Sequence, residues 1–271
     1  MLTSILSSFF QSMPDFKGKR RIARLLFKSS NSQLQVKGKY HLKYNIPNYQ
    51  ESIGLDLLIN GIYESNHIKF LSSIINPNGV FIDIGANIGA ISLPLARLLP
   101  NLTIYSIEAS PKVFKYLNTN ISQNNLKNII PINRAINDAD ADAIPFYSPD
   151  GQYGKGSFSA VFTKKPEYIE CQRLDEFIAE NKIANVDAIK IDVEGYEYQV
   201  LKGAKKLLNS AIAPKFIIME YVDWAERLAK NEKATAQKLL IECGYELYNL
   251  HSGKKLAKVI EEGSMMILAK K

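Results

Sequence analysis

The stretch VFIDIGANIGAISLPLA, residues 80–96, contains the clearest change of pattern in the sequence. Residues 80–84 are apolar up to Asp83 and predict a buried strand, and an apolar helical pattern runs over 88–99. Between them, Gly85 and Gly89 frame Asn87. In an open parallel sheet, ligands bind beyond the carboxyl ends of the strands, where such a turn lies. The stretch therefore predicts the first strand, ligand loop and helix of an α/β sheet.

The same alternation continues along the chain and predicts a mainly parallel sheet with helices on both faces. Predicted strands lie at residues 80–84, 103–108, 129–136, 187–192 and 215–221. Predicted helices lie at 88–99, 111–124, 174–182, 196–208 and 232–243. Pro94 falls inside the first helical pattern and should kink or delay that helix. Residues 245–250 and 264–270 predict a closing hairpin of two strands.

Residues 137–171 interrupt this rhythm and predict an inserted antiparallel β ribbon. Short candidate strands lie at 143–147, 157–163 and 167–172, and the turn-rich SPDGQYGKG separates the first two. Serines, aromatic residues and lysines in this ribbon could hold a polar or anionic acceptor. A solvated hairpin is the alternative.

Residues 1–60 fit the βα pattern poorly, so we expect an N-terminal extension over 1–60 and a main domain over 61–271. The extension should contain helices and one or two short strands that cover the sheet or the mouth of its pocket. MLTSILSSFFQSM is amphipathic, and the basic KGKRRIARLLFK follows it. Such a segment could contact an anionic membrane surface, or it could pack on the domain or on a second subunit in a homodimer.

Composition narrows the class of protein. The 271 residues are 46% hydrophobic and 23% charged, and no apolar run has the length of a membrane span. We therefore expect a globular cytoplasmic protein, with peripheral membrane contact as the open alternative. Cys171 and Cys243 show no paired spacing, which argues against a disulfide framework or a zinc site. The net charge of +7 favours anionic partners without choosing among them.

The turn after Asp83 favours a nucleoside-containing ligand other than NAD. Its glycines do not have the G-x-G-x-x-G spacing of a dinucleotide site. Asn87 tolerates a positive φ and offers an amide to a ligand. Glu108 ends the second strand about 20 residues on, where a carboxylate accepts hydrogen bonds from ribose hydroxyls. Asp83 would repel a pyrophosphate but suits the sulfonium and ammonium cations of S-adenosylmethionine.

Four motifs resemble the FkbM-type family of S-adenosylmethionine-dependent methyltransferases: DIGANIG at 83–89, IEAS at 107–110, NRAIND at 133–138 and KIDVEGYEYQVLKGA at 190–204. The resemblance covers roughly residues 60–222. It implies the class I methyltransferase fold, a Rossmann-like sheet of seven strands of which the last is antiparallel. The positions it implies for S-adenosylmethionine are Asp83, Gly85, Ala86, Asn87, Gly89, Glu108, Ala109, Arg134, Ala135 and Asp192.

Carboxylates at the ends of the fourth and fifth predicted strands are candidates for the chemistry. Methyl transfer requires an acceptor atom held against the methyl group, and a hydroxyl acceptor must also lose its proton. We predict that Asp192 lies nearest the reaction and that Glu194 and Glu220 position the acceptor or act as base. A divalent metal at these acids is the less favoured alternative. His41, His67 and His251 are interpreted as surface or packing residues, although His41 could face the pocket.

The acceptor is not identified by the sequence. The family association favours oxygen over nitrogen and a glycan, sugar or other small polar molecule. A nucleic-acid methyltransferase is disfavoured because IDVEG replaces the Asn/Asp-Pro-Pro-aromatic motif of the amino-methylating enzymes. A non-catalytic, methyltransferase-like binding protein is the third hypothesis.

Overall fold

A seven-stranded sheet with helices on both faces forms the centre of the protein in a computed structural model, which describes residues 2–27, 34–160 and 163–271. The strands of the protein, seven of which form this sheet, are β1 (Leu34–Lys37), β2 (Lys43–Ile46), β3 (Val80–Ile84), β4 (Thr103–Glu108), β5 (Ile129–Asn133), β6 (Ala135–Asn137), β7 (Ala141–Phe146), β8 (Glu167–Arg173), β9 (Ala188–Ile191), β10 (Phe216–Val222), β11 (Glu246–Asn249) and β12 (Ser264–Lys270). Its helices are α1 (Leu2–Ser12), α2 (Lys19–Leu26), α3 (Ser52–Asn60), α4 (Ser65–Ile74), α5 (Ser92–Leu98), α6 (Pro111–Gln123), α7 (Leu174–Glu180), α8 (Glu197–Lys202), α9 (Lys205–Leu208), α10 (Asp223–Leu228) and α11 (Thr235–Glu242), and a 3-10 turn spans Lys39–His41.

The strand order of the main sheet is β11-β12-β10-β9-β3-β4-β5. Strands β10, β9, β3, β4 and β5 pair in parallel, whereas β12 lies antiparallel between β10 and β11. The predicted α/β sheet with an antiparallel last strand is therefore confirmed. The chain order reverses between β3 and β9, which places a ligand crevice at the carboxyl ends of these strands.

Burial on both faces explains the apolar runs of the central strands. Side chains alternate between the faces of a strand, so Phe81 joins the core on one face while Ile82 and Ile84 join the core on the other. All three are almost fully buried. Parallel strands covered by helices on both faces have this near-continuous apolar pattern.

The described residues among the first 60, which are 2–27 and 34–60, pack on one face of the sheet. Phe10 of α1 and Leu55 of α3 belong to the same hydrophobic core as Phe81. Ser7 Oγ donates to the carbonyl of Leu58 at 2.6 Å, which ties α1 to α3. The predicted division of the chain at residue 60 stays a prediction, since this core runs across it.

Several strands and helices of the structure begin or end at residues other than those predicted from the sequence. The predicted strand 129–136 is two strands, because the chain leaves the main sheet at Arg134 and β6 pairs in parallel with β8. The predicted helix 196–208 is broken at Gly203 into α8 and α9. The predicted helix 88–99 begins only at Ser92, so Pro94 lies in its first turn. Backbone N–H groups of the first turn have no hydrogen-bond partner within the helix, so a proline there removes no helical hydrogen bond.

The inserted ribbon consists of β7 and β8, which pair antiparallel and form a three-stranded sheet with β6. The predicted strand 157–163 is wrong for residues 157–160. Ser157 makes only an isolated bridge with Tyr147, and residues 158–160 are bends. Residues 161–162 of that prediction lie outside the described residues.

Candidate active site

Three residues of the glycine turn after β3 have positive φ angles. Gly85, Asn87 and Gly89 have φ values of 77°, 52° and 87°, which agrees with the positive φ predicted as tolerable for Asn87. A Cβ on Gly85 would lie 1.9 Å from the carbonyl oxygen of Asp192, and one on Gly89 would lie 2.2 Å from Leu93 Cδ1. The glycines are therefore required by close packing against the end of β9 and against α5, in addition to any ligand.

Glu108 joins this turn to the end of β4. Its Oε2 accepts a hydrogen bond from the backbone N–H of Asn87 at 2.9 Å, and its Oε1 accepts one from Ser110 N–H at 2.8 Å. Burial raises the pKa of Glu108 to about 7, although these two N–H groups oppose the shift. A carboxylate has about four lone-pair positions, so two remain for a ligand hydroxyl pair.

A cleft of about 620 Å³, called the first cleft below, lies over the carboxyl ends of the central strands. The predicted site residues that line it are Gly85, Asn87, Glu108, Ala109, Arg134, Ala135, Asp192, Glu194 and Glu220. The structure thus brings together nine residues from five separate segments of the chain. Asp83, before the turn, and Ala86 and Gly89, within it, are buried and do not line the cleft.

Asp83 faces the protein interior. It is 1% exposed, its Oδ2 accepts from Ser92 Oγ at 2.6 Å, and its Oδ1 lies 3.7 Å from Lys190 Nζ. Lys190 Nζ also lies 3.0 Å from Asp192 Oδ2. Burial alone would lower the pKa of Lys190, but the neighbouring carboxylates, chiefly Asp192 and Asp83, raise it. Lys190 is therefore the cation that faces Asp83. Asp83 lies on the interior side of the turn and binds Ser92 and Lys190 there.

Three acids gather where β9 and β10 end. Burial and the charge of Asp192 raise the pKa of Glu194 to about 8 and that of Glu220 to about 7. Glu194 also has a positive φ of 54°, an unfavourable backbone conformation for this residue type that is common at functional sites. Acids with pKa values near neutrality can act as proton acceptors, and their crowding favours a bound cation.

Sequence analysis missed several residues of the first cleft. Arg24 of α2 and Glu51, just before α3, reach it from the N-terminal region, and Tyr63, Phe158 and Trp224 also line it. Arg24 belongs to the basic segment KGKRRIARLLFK, and Phe158 belongs to the ribbon whose aromatic residues were predicted to hold an acceptor. Glu51, Tyr63 and Trp224 were not predicted, and all five come together only through tertiary packing. Lys190 did carry a signal, because a lysine within the apolar strand β9 needs a buried partner.

The chemistry of the first cleft fits a nucleoside that carries a positive charge. Ile84, Ile107 and Ile136 give it an apolar wall, Glu108 can accept from two hydroxyls, and the acids at the ends of β9 and β10 suit a cation. Among the residues that the structure describes, no group of three or more His, Cys, Asp or Glu side chains is arranged to hold a metal ion.

The sheet order, the antiparallel seventh strand and this cleft together define a Rossmann-like methyltransferase. Residues 83–247 match the Methyltransferase FkbM domain, and the chain belongs to this family of S-adenosylmethionine-dependent methyltransferases. The resemblance seen in the motifs is therefore confirmed.

Three curated relatives are similar over part of the chain. The 2-O-methyltransferase NoeI of Sinorhizobium fredii is 25% identical over 58% of this chain and 69% of its own length. The hexuronic acid methyltransferase AglP of Haloferax volcanii is 26% identical over 58% of this chain and 62% of its own. The tRNA(Phe) (4-demethylwyosine(37)-C(7)) aminocarboxypropyltransferase of Methanocaldococcus jannaschii is 41% identical over 26% of this chain and 27% of its own.

The crystal structure of TYW2 from M. jannaschii in complex with AdoMet is a similar solved structure, with 17% identity and a TM-score of 0.46. The match covers 90% of this chain and 88% of that chain. A likeness of this degree gives no information on the acceptor.

Proposed function

We propose that this protein transfers a methyl group from S-adenosylmethionine to a hydroxyl oxygen of a sugar or another small polar acceptor. The observation that carries the proposal is the first cleft itself, in which Glu108 beside the glycine turn faces the same space as Asp192 and Glu220. When bound, S-adenosylmethionine supplies an electrophilic methyl group on a sulfonium. The names of NoeI and AglP, a 2-O-methyltransferase and a hexuronic acid methyltransferase, support oxygen and sugars as the acceptor class.

In this proposal each residue of the first cleft contacts the part of the cofactor or acceptor that lies beside it. Glu108 binds the ribose hydroxyls, and Gly85, Asn87 and the buried neighbours Asp83, Ala86 and Gly89 fix the turn. Ala109, Arg134 and Ala135 lie beside the adenine. Asp192 lies nearest the sulfonium, Glu194 adds negative charge beside it, and Glu220 positions the acceptor. Holding two reactants in contact supplies much of the rate enhancement for such a displacement.

A methylation assay with defined sugars tests the acceptor class. The purified protein is incubated with methyl-tritiated S-adenosylmethionine and either p-nitrophenyl β-D-glucuronide or p-nitrophenyl β-D-glucopyranoside. We expect tritium in one of the glycosides and none with the Asp192→Asn variant. If calorimetry shows that the cofactor binds but neither glycoside is labelled, the sugar assignment is wrong. If the cofactor does not bind, the methyltransferase assignment itself fails.

A nucleic-acid acceptor is the second candidate. It is supported by the net charge of +7 and by the 71-residue similarity to the tRNA-modifying relative. Binding through phosphates falls steeply with salt. Strong binding of a transfer RNA that is lost at high salt, together with tritium transfer to that RNA, would favour this candidate over the sugar.

We also propose that α2 contacts an anionic membrane surface. Ile22, Leu25 and Leu26 are 44%, 61% and 56% exposed, and their i, i+3, i+4 spacing places them on one side of the helix. Exposed Arg21, Arg20 (which also pairs with Asp56) and the cleft residue Arg24 lie on the same helix. Apolar and basic groups side by side are typical of helices that bind the membrane interface. Among the described helices, none has the length and apolarity to cross a membrane.

Sedimentation with lipid vesicles tests this contact. We expect binding to vesicles that contain phosphatidylglycerol, weak binding to phosphatidylcholine alone, and loss of binding in Leu25→Glu. Ile241→Glu, which changes an exposed apolar residue elsewhere, is the matched control. Equal sedimentation of Leu25→Glu and the parent protein would contradict the proposal. A dimer that Leu25→Glu dissociates would instead assign this side of α2 to a second copy.

A further inference from the structure

A second cleft adjoins the first. It has a volume of about 900 Å³ and shares Tyr63, Asp192 and Glu220 with the first cleft. Its remaining walls come from the N-terminal helices, from the start of α4 and from the segment around β11 and β12. Asp192 and Glu220 therefore border both spaces. A methyl group held at this border can be reached by an acceptor that enters through the second cleft.

His67 is the unusual residue of the second cleft. It is 6% exposed, and its Nδ1 lies 2.8 Å from Glu64 Oε2. Its Nε2 is buried and has no hydrogen-bond partner among the described residues. Buried polar atoms in native proteins are nearly always paired, so an unpaired one requires an explanation. A hydroxyl group of a bound ligand would supply the missing partner.

Glu64 determines which nitrogen of His67 is free to accept. Burial would raise the pKa of Glu64, but the hydrogen bonds from His67 and Tyr63 and the charge of Lys190 lower it. An ionised carboxylate at Nδ1 favours the tautomer with its proton on Nδ1. The lone pair is then on Nε2, as in the His of a hydrolytic triad.

The backbone and the neighbouring ring hold this pair in place. Glu64 has φ 45° and ψ 50°, an unfavourable left-handed conformation for a glutamate, directly before α4. Strained residues of this kind cluster at ligand sites. The exposed His251 stacks on His67 with ring centroids 5.2 Å apart and also lines the cleft. His67 is thus fixed between Glu64 and a ring that borders solvent.

We propose that the second cleft binds the sugar acceptor and that His67, oriented by Glu64, takes the proton of the hydroxyl that becomes methylated. This inference rests on the proposed function. The O–H bond breaks, its proton bonds to Nε2, and the oxygen uses the electron pair to bond to the methyl carbon. The bond between that carbon and the sulfonium sulfur breaks at the same time, and its electron pair stays on the sulfur as S-adenosylhomocysteine leaves. The resulting imidazolium is balanced by Glu64. Asp192 and Glu220 then position the reacting groups, and Glu194, which lines only the first cleft, is not the proton acceptor.

Blocking the cleft tests acceptor binding without any turnover. Saturation-transfer NMR measures binding of p-nitrophenyl β-D-glucuronide and p-nitrophenyl β-D-glucopyranoside to the protein loaded with S-adenosylhomocysteine. Asn66→Trp places a large ring in the second cleft from an exposed position, and Ser73→Trp, at an exposed position of α4 that lines neither cleft, is the control. We expect Asn66→Trp alone to lose glycoside binding while both variants bind S-adenosylhomocysteine normally.

Substitution of His67 tests the proton transfer. His67→Asn keeps a donor near Glu64 and removes the acceptor at Nε2, and His41→Asn, outside both clefts, is the control. We expect kcat to fall by about 10²–10⁴-fold, as for loss of a general base, with glycoside binding retained. Glu64→Gln should lower kcat more than it raises KM.

The outcomes separate this inference from the proposed function. Unchanged glycoside binding in Asn66→Trp, or unchanged kcat in His67→Asn, would overturn the inference. A protein that binds S-adenosylhomocysteine but neither glycoside would also overturn it. Failure to bind S-adenosylhomocysteine at all would instead refute the proposed function.

Discussion

Glu108→Gln is the substitution that tests the assignment of the first cleft with the smallest change in shape. The carboxylate accepts backbone N–H groups from Asn87 and Ser110 and, in our proposal, two ribose hydroxyls. Hydrogen bonds to charged groups contribute about 1.5–3 kcal/mol each. A glutamine has one acceptor oxygen, and its NH₂ group must face either a backbone N–H or the ribose. Losing about 3 kcal/mol of ligand binding corresponds to a Kd that is about 10²-fold weaker.

Calorimetric titration with S-adenosylhomocysteine measures this change. Because burial raises the pKa of Glu108 to about 7, the titration is made near pH 8.5, where the carboxylate is ionised. Glu242→Gln, at the exposed end of α11, is the matched control and should bind as the parent protein does. Thermal unfolding of each variant shows that it is folded. A folded Glu108→Gln protein with the parental Kd would refute the assignment of Glu108 to the ribose.

Three further predictions concern the buried charges. First, because the pKa values of Glu194 and Glu220 are raised to about 8 and 7, S-adenosylmethionine should bind more tightly as the pH rises from about 6 to 8.5. S-adenosylhomocysteine, which lacks the sulfonium, should show a smaller change in calorimetry, and equal pH dependence would contradict a cation beside these acids. Second, the folded protein holds the Glu194 proton more tightly than the unfolded chain does. This contribution to stability is full below about pH 4.5 and is lost as the pH rises through about 8, so Glu194→Gln should flatten the decline of melting temperature over that range. Third, Lys190→Met should lower the free energy of unfolding by about 3–5 kcal/mol, because it leaves Asp83 without its cation. Asp83→Asn in the same protein should restore part of this loss in denaturant titration, and no restoration would contradict the pairing.

The sheet could be predicted from sequence because its strands are buried on both faces. Val80–Ile84 and Ala188–Ile191 are apolar except for Asp83 and Lys190, which face each other, so the type and order of these strands followed from local pattern. The positive φ of Asn87 and the position of Glu108 at a strand end also follow from local chemistry. These features depend on residues close together in the chain.

Other features depend on contacts that no local pattern contains. Asp83 was assigned to the ligand because of its place beside the turn, but its side chain lies under the turn against Lys190, more than 100 positions away in the chain. Arg24 reaches the first cleft only because the N-terminal region packs on the sheet, and His67 of α4 lines a cleft whose other walls include N-terminal helices. His67 was interpreted as a surface or packing residue because an isolated histidine on a helix carries no spacing signal. Its unpaired Nε2 is visible only in three dimensions.

A crystal structure of the complex with S-adenosylhomocysteine would locate the cofactor site directly. We predict the ligand in the first cleft, with its ribose hydroxyls on Glu108, its adenine beside Ala135 and its sulfur near Asp192 at the border with the second cleft. A ligand bound outside the first cleft, or bound there with its ribose away from Glu108, would contradict the account.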